Sequence, residues 1–322
     1  MSGGPPVELS IVTTLFRSEA TVDEFYARVT AAASAVTPSF EVVFVDDGSP
    51  DASAERVRRL AERDARLVLV ELSRNFGHHQ AATAGLSHAR GERIFILDVD
   101  LEEQPEWLPE FAAEMDRTGA DVVYGVSAGR GGSLFRRLSG GLFWWMFNRL
   151  SETRVAPNPC TVRIMRRRYV EALLTMPDRS LFLAGNYAWL GFRQVPRVVE
   201  KRMRKTRSNY TLGRLASLFI DAITSFTSYP LRLIFVTGGA IAASALAAGI
   251  GLVALKLARP ESISLGWPSL MVSIWFLGGV IIAFLGVIGI YLSKIFNEAK
   301  RRPLYVVREV VRGVPLGPPG GG

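Results

Sequence analysis

The chain has 322 residues, 48% hydrophobic and 21% charged, which is enough apolar material for a buried core and too much for a disordered chain. Lys plus Arg exceeds Asp plus Glu by 38 − 30 = +8, while mean hydropathy is +0.20, so the apolar residues must be concentrated in part of the chain. A single cysteine, Cys160, excludes a disulfide framework and a cysteine zinc site, and the basic balance points to an anionic partner: lipid, a phosphorylated ligand or nucleic acid.

The first six residues carry no leader-like pattern, so no secretory signal is expected. Short β-branched apolar runs then alternate with amphipathic stretches. Residues 9–13, 41–46, 67–72, 93–98 and 121–126 read as buried strands, and 22–36, 53–63, 78–89 and 107–118 have helical spacing. This alternation predicts a mostly parallel sheet with helices on both faces and ligands beyond the carboxyl ends of its strands. Residues 133–150 mix Trp144, Trp145 and Phe147 with Arg136 and Arg137, as in a helix lying in a membrane interface; residues 211–229 fit either that role or ordinary packing. Residues 233–255 and 270–292 are each uncharged and long enough to span a bilayer. Basic residues flank the pair on its outer sides, from Lys201 to Arg232 before it and from Lys294 to Arg302 after it, predicting a hairpin anchor in the cytoplasmic membrane with both termini cytoplasmic. The expected divisions are 1–130, an α/β core; 131–230, a region with the two amphipathic segments and the remaining strands; 231–293, two spanning helices; and 294–322, a cytoplasmic tail.

Carboxylates mark two of the strand ends. Asp46-Asp47-Gly48-Ser49 follows the second strand, where carboxylates can accept bonds from ribose hydroxyls or a base N–H. Asp98-Val99-Asp100, with Glu102 beyond, follows the fourth and offers the hard oxygen ligands that Mg²⁺ or Mn²⁺ prefers. Arg74 and Asn75 end the third strand ahead of a helix N-terminus, a setting suited to a diphosphate. His78 and His79 are adjacent and point about 100° apart on a helix, so they read as helix surface or pocket lining rather than catalysts.

The order Asp46-Asp47-Gly48-Ser49, Ser73-Arg74-Asn75-Phe76-Gly77, Asp98-Val99-Asp100, followed by two C-terminal apolar segments, resembles the polyprenyl-phosphate glycosyltransferases. These are family 2 enzymes of the GT-A fold, of the dolichol-phosphate mannose synthase type. Residues 74–88, Tyr229-Pro230-Leu231-Arg232 and Arg302-Pro303-Leu304-Tyr305 resemble in particular the undecaprenyl-phosphate aminoarabinose-precursor transferases.

The resemblance implies an inverting transfer from a nucleotide-diphosphate sugar to a polyprenyl phosphate, with Mg²⁺ or Mn²⁺ as cofactor and a homo-oligomer, tetrameric in relatives; the basic residues cluster beside the apolar segments, where lipid is the nearer anion, so no nucleic-acid partner is expected. It implies Asp98, Asp100 and Glu102 as metal ligands, with Asp98 and Asp100 catalytic; an anionic acceptor phosphate also needs cationic residues to hold it in line, and Arg136, Arg137 and Arg163 are the catalytic candidates for that. Thr14, Phe16, Glu19, Asp46, Asp47, Arg74, Asn75, Asp98 and Val99 would contact the donor. The chain departs from the family pattern at Thr14-Leu15-Phe16-Arg17, at Asn158-Pro159-Cys160-Thr161, at Ser208-Asn209-Tyr210, and in carrying Glu102 where Gln is usual. A non-catalytic membrane scaffold retaining the fold is the alternative; the clustered carboxylates, for which a scaffold has no use, speak against it.

Overall fold

The computed structural model describes residues 7–127, 159–176, 183–201, 229–258 and 266–313. They form two compact units, one built on a sheet and one of two long helices. Residues 133–150, with Arg136 and Arg137, and residues 211–228 lie outside the described residues.

In the sheet unit, strands β1 (Leu9–Leu15), β2 (Phe40–Asp46), β3 (Leu67–Leu72) and β4 (Arg93–Ile96) alternate with helices α1 (Val22–Ser34), α2 (Ser53–Ala61) and α3 (His78–His88). A short 3₁₀ turn, Pro105–Trp107, leads into α4 (Leu108–Thr118), followed by β5 (Val122–Ser127), β6 (Pro159–Arg166), α5 (Arg167–Leu174), α6 (Leu183–Trp189) and β7 (Gln194–Val199). The strand order is β7-β5-β6-β4-β1-β2-β3-β8, where β8 is Val307–Arg312.

Side chains alternate across β1 and β2 as period-2 burial requires. Ile11 and Phe44 join a core with Phe25 of α1, Val57 of α2 and Phe111 of α4. Val12 and Val45 face the opposite core with Leu86 of α3 and Tyr169 of α5. Helices therefore cover both faces, as the alternating pattern predicts. Edge-to-face pairs, Phe25 on Phe44 and Phe95 on Phe111, each with centroids 5.9 Å apart, lock α1 and α4 to the sheet.

The sheet is mostly parallel, as expected, with two strands reversed. β1 pairs in parallel with β2 and β4, β2 with β3, and β5 with β7, but β6 runs antiparallel to β4 and β5, and β8 antiparallel to β3. β4 ends at Ile96, two residues before the expected end, which leaves Asp98 in the turn beyond it. The residues expected as a separate tail divide in the structure. The second of the two long helices runs on to Ala299, and β8 returns to the sheet unit to satisfy the open edge of β3. Arg58 fastens this pairing by contacting Glu71 of β3 at 2.7 Å and Glu309 of β8 at 2.6 Å.

The helical unit comprises α7 (Tyr229–Ala258) and α8 (Trp267–Ala299), which contain the two uncharged stretches. Within α8, Ser273–Ala299 is 27 residues long, and its most apolar stretch has mean hydropathy 2.4 and is unburied, long and apolar enough to cross a membrane by length and composition.

Candidate active site

β2 and β4 lie on either side of β1, so the two acidic strand ends emerge at the same edge of the sheet, one strand apart. After β2 the chain turns through Asp47, whose N–H donates to Leu15 O, and Gly48, whose φ of +65° suits glycine. A Cβ on Gly48 would stand 2.6 Å from the Arg74 carbonyl carbon, so only glycine lets this turn lie against the loop after β3.

Asp46 and Asp47 are both buried, and they have different roles. Asp46 accepts the Ser49 N–H; burial raises its carboxyl, opposed by the bonds from Ser49. Asp47 accepts the N–H groups of Phe76 at 2.7 Å and Gly77 at 2.9 Å, clamping the loop that carries Arg74 and Asn75. On its other side that loop is held by β8: Ser73 N–H donates to Val306 O, and Arg308 donates to Ser73 O, each at 2.8 Å. Arg74 lies over the Phe76 ring at 4.0 Å and donates to Asn75 O.

After β1, Phe16 is 46% exposed, an open aromatic face at the sheet edge, beside Arg17 at φ 55°. Glu19 accepts the Ala52 N–H while its own N–H donates to Asp51, so Glu19 ties the β1–α1 loop to the start of α2 rather than standing free.

The turn after β4 presents Asp98 half-buried, Val99 buried and Asp100 exposed. Burial and then the charge of Asp100 push the Asp98 carboxyl up to about 6, against the pull of the Thr161 hydroxyl and Lys201. Asp100 accepts the Glu102 N–H, and Leu101 takes a left-handed φ of 61°, a strained turn next to the carboxylates. Among the described residues no three His, Cys, Asp or Glu side chains converge on one point. Asp98, Asp100 and Glu102 thus share one turn without forming a preassembled three-carboxylate cluster. The mutual repulsion of Asp98 and Asp100 still fits a divalent cation, provided it takes few protein ligands and completes its shell with phosphate oxygens and water.

Three neighbours of this turn have partners that the sequence did not assign. His78 stands between Thr14, whose hydroxyl is 3.0 Å from Nδ1, and Asp98, whose carboxylate is 3.6 Å from Nε2. Burial depresses the imidazole, against the pull of nearby carboxylates. Glu103 is fully buried and pairs with Lys201 at 2.7 Å, although the sequence placed Lys201 among the basic residues flanking the membrane. The only signal for either was position: Glu103 adjoins the acidic turn and Lys201 follows β7 directly.

Arg163 is paired in register with Ile96, so it lies on β6 directly beside the end of β4. Its side chain is buried, donates to the carbonyls of Thr161 at 3.1 Å and Cys160 at 2.9 Å, and lies over the Tyr187 ring at 3.6 Å. No described carboxylate forms an ion pair with it. Arg163 lines a cavity of about 130 Å³ together with His78, His79, Cys160, Thr161 and Tyr187. Both histidines are thus pocket lining. Burial raises the Cys160 thiol to about 11, so it is neutral and inert there.

The model of the glycosyl transferase family 2 matches residues 10–174, which include every strand end just described as far as β6. The chain belongs to glycosyl transferase family 2. Across 94% of its length it is 42% identical to a Mycobacterium tuberculosis protein described as putative glycosyltransferases, covering 88% of that protein. It is 32% identical to the SfII prophage-derived bactoprenol glucosyl transferase of Shigella flexneri, over 96% of this chain and 100% of that one. It is 33% identical to the undecaprenyl-phosphate 4-deoxy-4-formamido-L-arabinose transferase of Klebsiella pneumoniae, over 96% of this chain and 95% of that one. Among solved structures, a glucosyl-3-phosphoglycerate synthase from Mycobacterium tuberculosis aligns at 18% identity and a TM-score of 0.47, covering 68% of this chain and 76% of that one. At that distance the family 2 assignment rests on the sequence relatives.

Proposed function

We propose that this family 2 glycosyltransferase moves a sugar from a nucleotide-diphosphate sugar to a polyprenyl phosphate at the cytoplasmic leaflet, with inversion at the anomeric carbon. One observation carries the reading. Neighbouring strands β4 and β6 set an acidic turn, Asp98 to Asp100, beside a buried arginine that no described carboxylate neutralises. A donor diphosphate, through its divalent cation, and an acceptor phosphate require opposite charges placed side by side.

Asp98 and Asp100 would hold the cation, Mg²⁺ or Mn²⁺, which offsets the charge developing on the departing diphosphate. Arg163, its guanidinium already oriented by two carbonyls and the Tyr187 ring, would bind the acceptor phosphate with its remaining N–H groups. That phosphate is anionic at neutral pH, so its oxygen attacks the anomeric carbon without a general base while the bond to the nucleotide diphosphate breaks. Positioning then supplies much of the rate. Asp46 at the end of β2 and the exposed Phe16 ring would receive the nucleoside, and Arg74 would face the diphosphate. Helices α7 and α8 would anchor the enzyme beside its lipid substrate as a spanning hairpin with both ends cytoplasmic. The names of the bactoprenol and undecaprenyl-phosphate relatives support the acceptor class.

The test is direct. Purified protein is supplied with radiolabelled nucleotide sugars, undecaprenyl phosphate and Mg²⁺ or Mn²⁺, and the lipid phase is counted. A labelled lipid from at least one donor is expected; none from any donor would refute the reading.

A further inference from the structure

Glu103 is the residue that the reaction above leaves unexplained. It is 0% exposed, and its Oε1 accepts both the Lys201 ammonium at 2.7 Å and the Thr161 N–H at 3.0 Å. Its Oε2 has no partner among the described residues. A buried ion pair is weak evidence for stability, because a well-packed apolar pair serves as well or better. Its location is more informative than its existence. Glu103 continues the acidic turn by one residue beyond Glu102, Lys201 stands immediately after β7, and Thr161 adjoins the Cys160 carbonyl that holds Arg163. One carboxylate therefore joins the acidic turn, the strand bearing the buried arginine, and the end of β7.

We propose that Glu103 and Lys201 are positioning residues whose ion pair locks the acidic turn against β6 and β7, so that Asp98 and Asp100 are presented to the donor's divalent cation. The proposal rests on the cation reading above. Lys201 has its role through Glu103, with no direct part in the chemistry, and the pair fixes where the metal-facing carboxylates stand relative to Arg163. A contribution from charge alone has the opposite sign. Removing a cation beside two carboxylates would strengthen cation binding, whereas releasing the turn weakens it.

The experiment titrates the full-length chain in detergent with Mn²⁺ alone and reads free Mn²⁺ by electron paramagnetic resonance, with the thermal unfolding midpoint as a fold control. Lys201→Met is expected to weaken Mn²⁺ binding about tenfold, and Lys201→Arg, which retains the pair, to stay within about threefold of the parent. Lys201→Met binding Mn²⁺ as tightly as the parent, or more tightly, overturns the positioning role while leaving the cation reading intact. A parent chain that binds no Mn²⁺ overturns that reading and the proposal with it. Should Lys201→Met fail to fold, the double variant Glu103→Gln/Lys201→Met, which removes the pair with no change in net charge and leaves no buried charge unpaired, takes its place. The same tenfold weakening is expected, and unchanged binding overturns the proposal.

Discussion

Gly48 offers the sharpest test of how the donor side is built. An alanine there must keep φ near +65°, and its Cβ would lie 2.6 Å from the Arg74 carbonyl carbon and 2.7 Å from the Asn75 nitrogen. Both contacts are backbone, so no rotamer relieves them. Restoring an ordinary contact of 3.4 Å needs a displacement of 3.4 − 2.6 = 0.8 Å, from the loop or from the Asp47 turn. Either movement stretches the bonds from Phe76 and Gly77 to Asp47. The left-handed backbone adds about 1 kcal/mol. A misplacement of about 1 Å at a reacting centre costs on the order of a hundredfold, so Gly48→Ala should lower kcat/KM for the donor by between about ten- and a hundredfold. Hydrogen exchange should also quicken across residues 74–80. Gly119→Ala is the control: its φ is +63° but nothing lies within 4 Å of the added Cβ. It should lose about 1 kcal/mol of stability and no turnover. Steady-state kinetics with labelled donor, alongside exchange mass spectrometry, measure both variants. Parent-like kinetics and exchange in Gly48→Ala, or an equal loss in Gly119→Ala, would refute the argument.

Three further outcomes are expected. Chelation of divalent cations should abolish transfer, with Mn²⁺ or Mg²⁺ restoring it; Asp100→Ala, at an exposed position, should lower turnover roughly a hundredfold while leaving the unfolding midpoint unchanged. Arg163→Lys gives up the guanidinium fork that spans the Cys160 and Thr161 carbonyls and the stack on Tyr187, so acceptor KM should rise about tenfold with donor KM unaltered in initial-rate assays. Burial raises the Asp64 carboxyl, but bonds from Arg66 and Tyr26 outweigh it and lower it from 3.8 to about 2. Its stabilisation is therefore fully present above about pH 5, and roughly half is lost by about pH 3. Unfolding midpoints of the parent and Asp64→Asn should converge as the pH falls through that range, and a constant gap would contradict the assignment.

The sheet's interior strands were legible because their burial is two-sided, and continuous apolar runs such as Val42 to Val45 have no other stable use. The edge strand β8 was not legible. Its alternation of Val and charged residues is ordinary for a tail, and its partner β3 lies some 235 residues earlier in the chain. The acidic strand ends were legible for a related reason: a carboxylate directly after an apolar strand has to emerge at the carboxyl edge. Their individual duties were not. Asp47 clamps a loop and Glu19 ties another, distinctions set by where backbone N–H groups arrive from elsewhere in the fold.

By itself the sequence determined the α/β alternation, the family, the acidic turns and the two long apolar helices, because each is written in local periodicity or in residues adjacent along the chain. Tertiary structure alone decided that β6 runs back beside β4 to bring Arg163 to the acidic turn, that His78 stands between Thr14 and Asp98, and that Lys201 pairs with a buried carboxylate. A charge on a sequence has no depth or neighbour until the sheet order is set. The same lysine that reads as a membrane flank becomes, once β7 is in place, the counter-ion of Glu103.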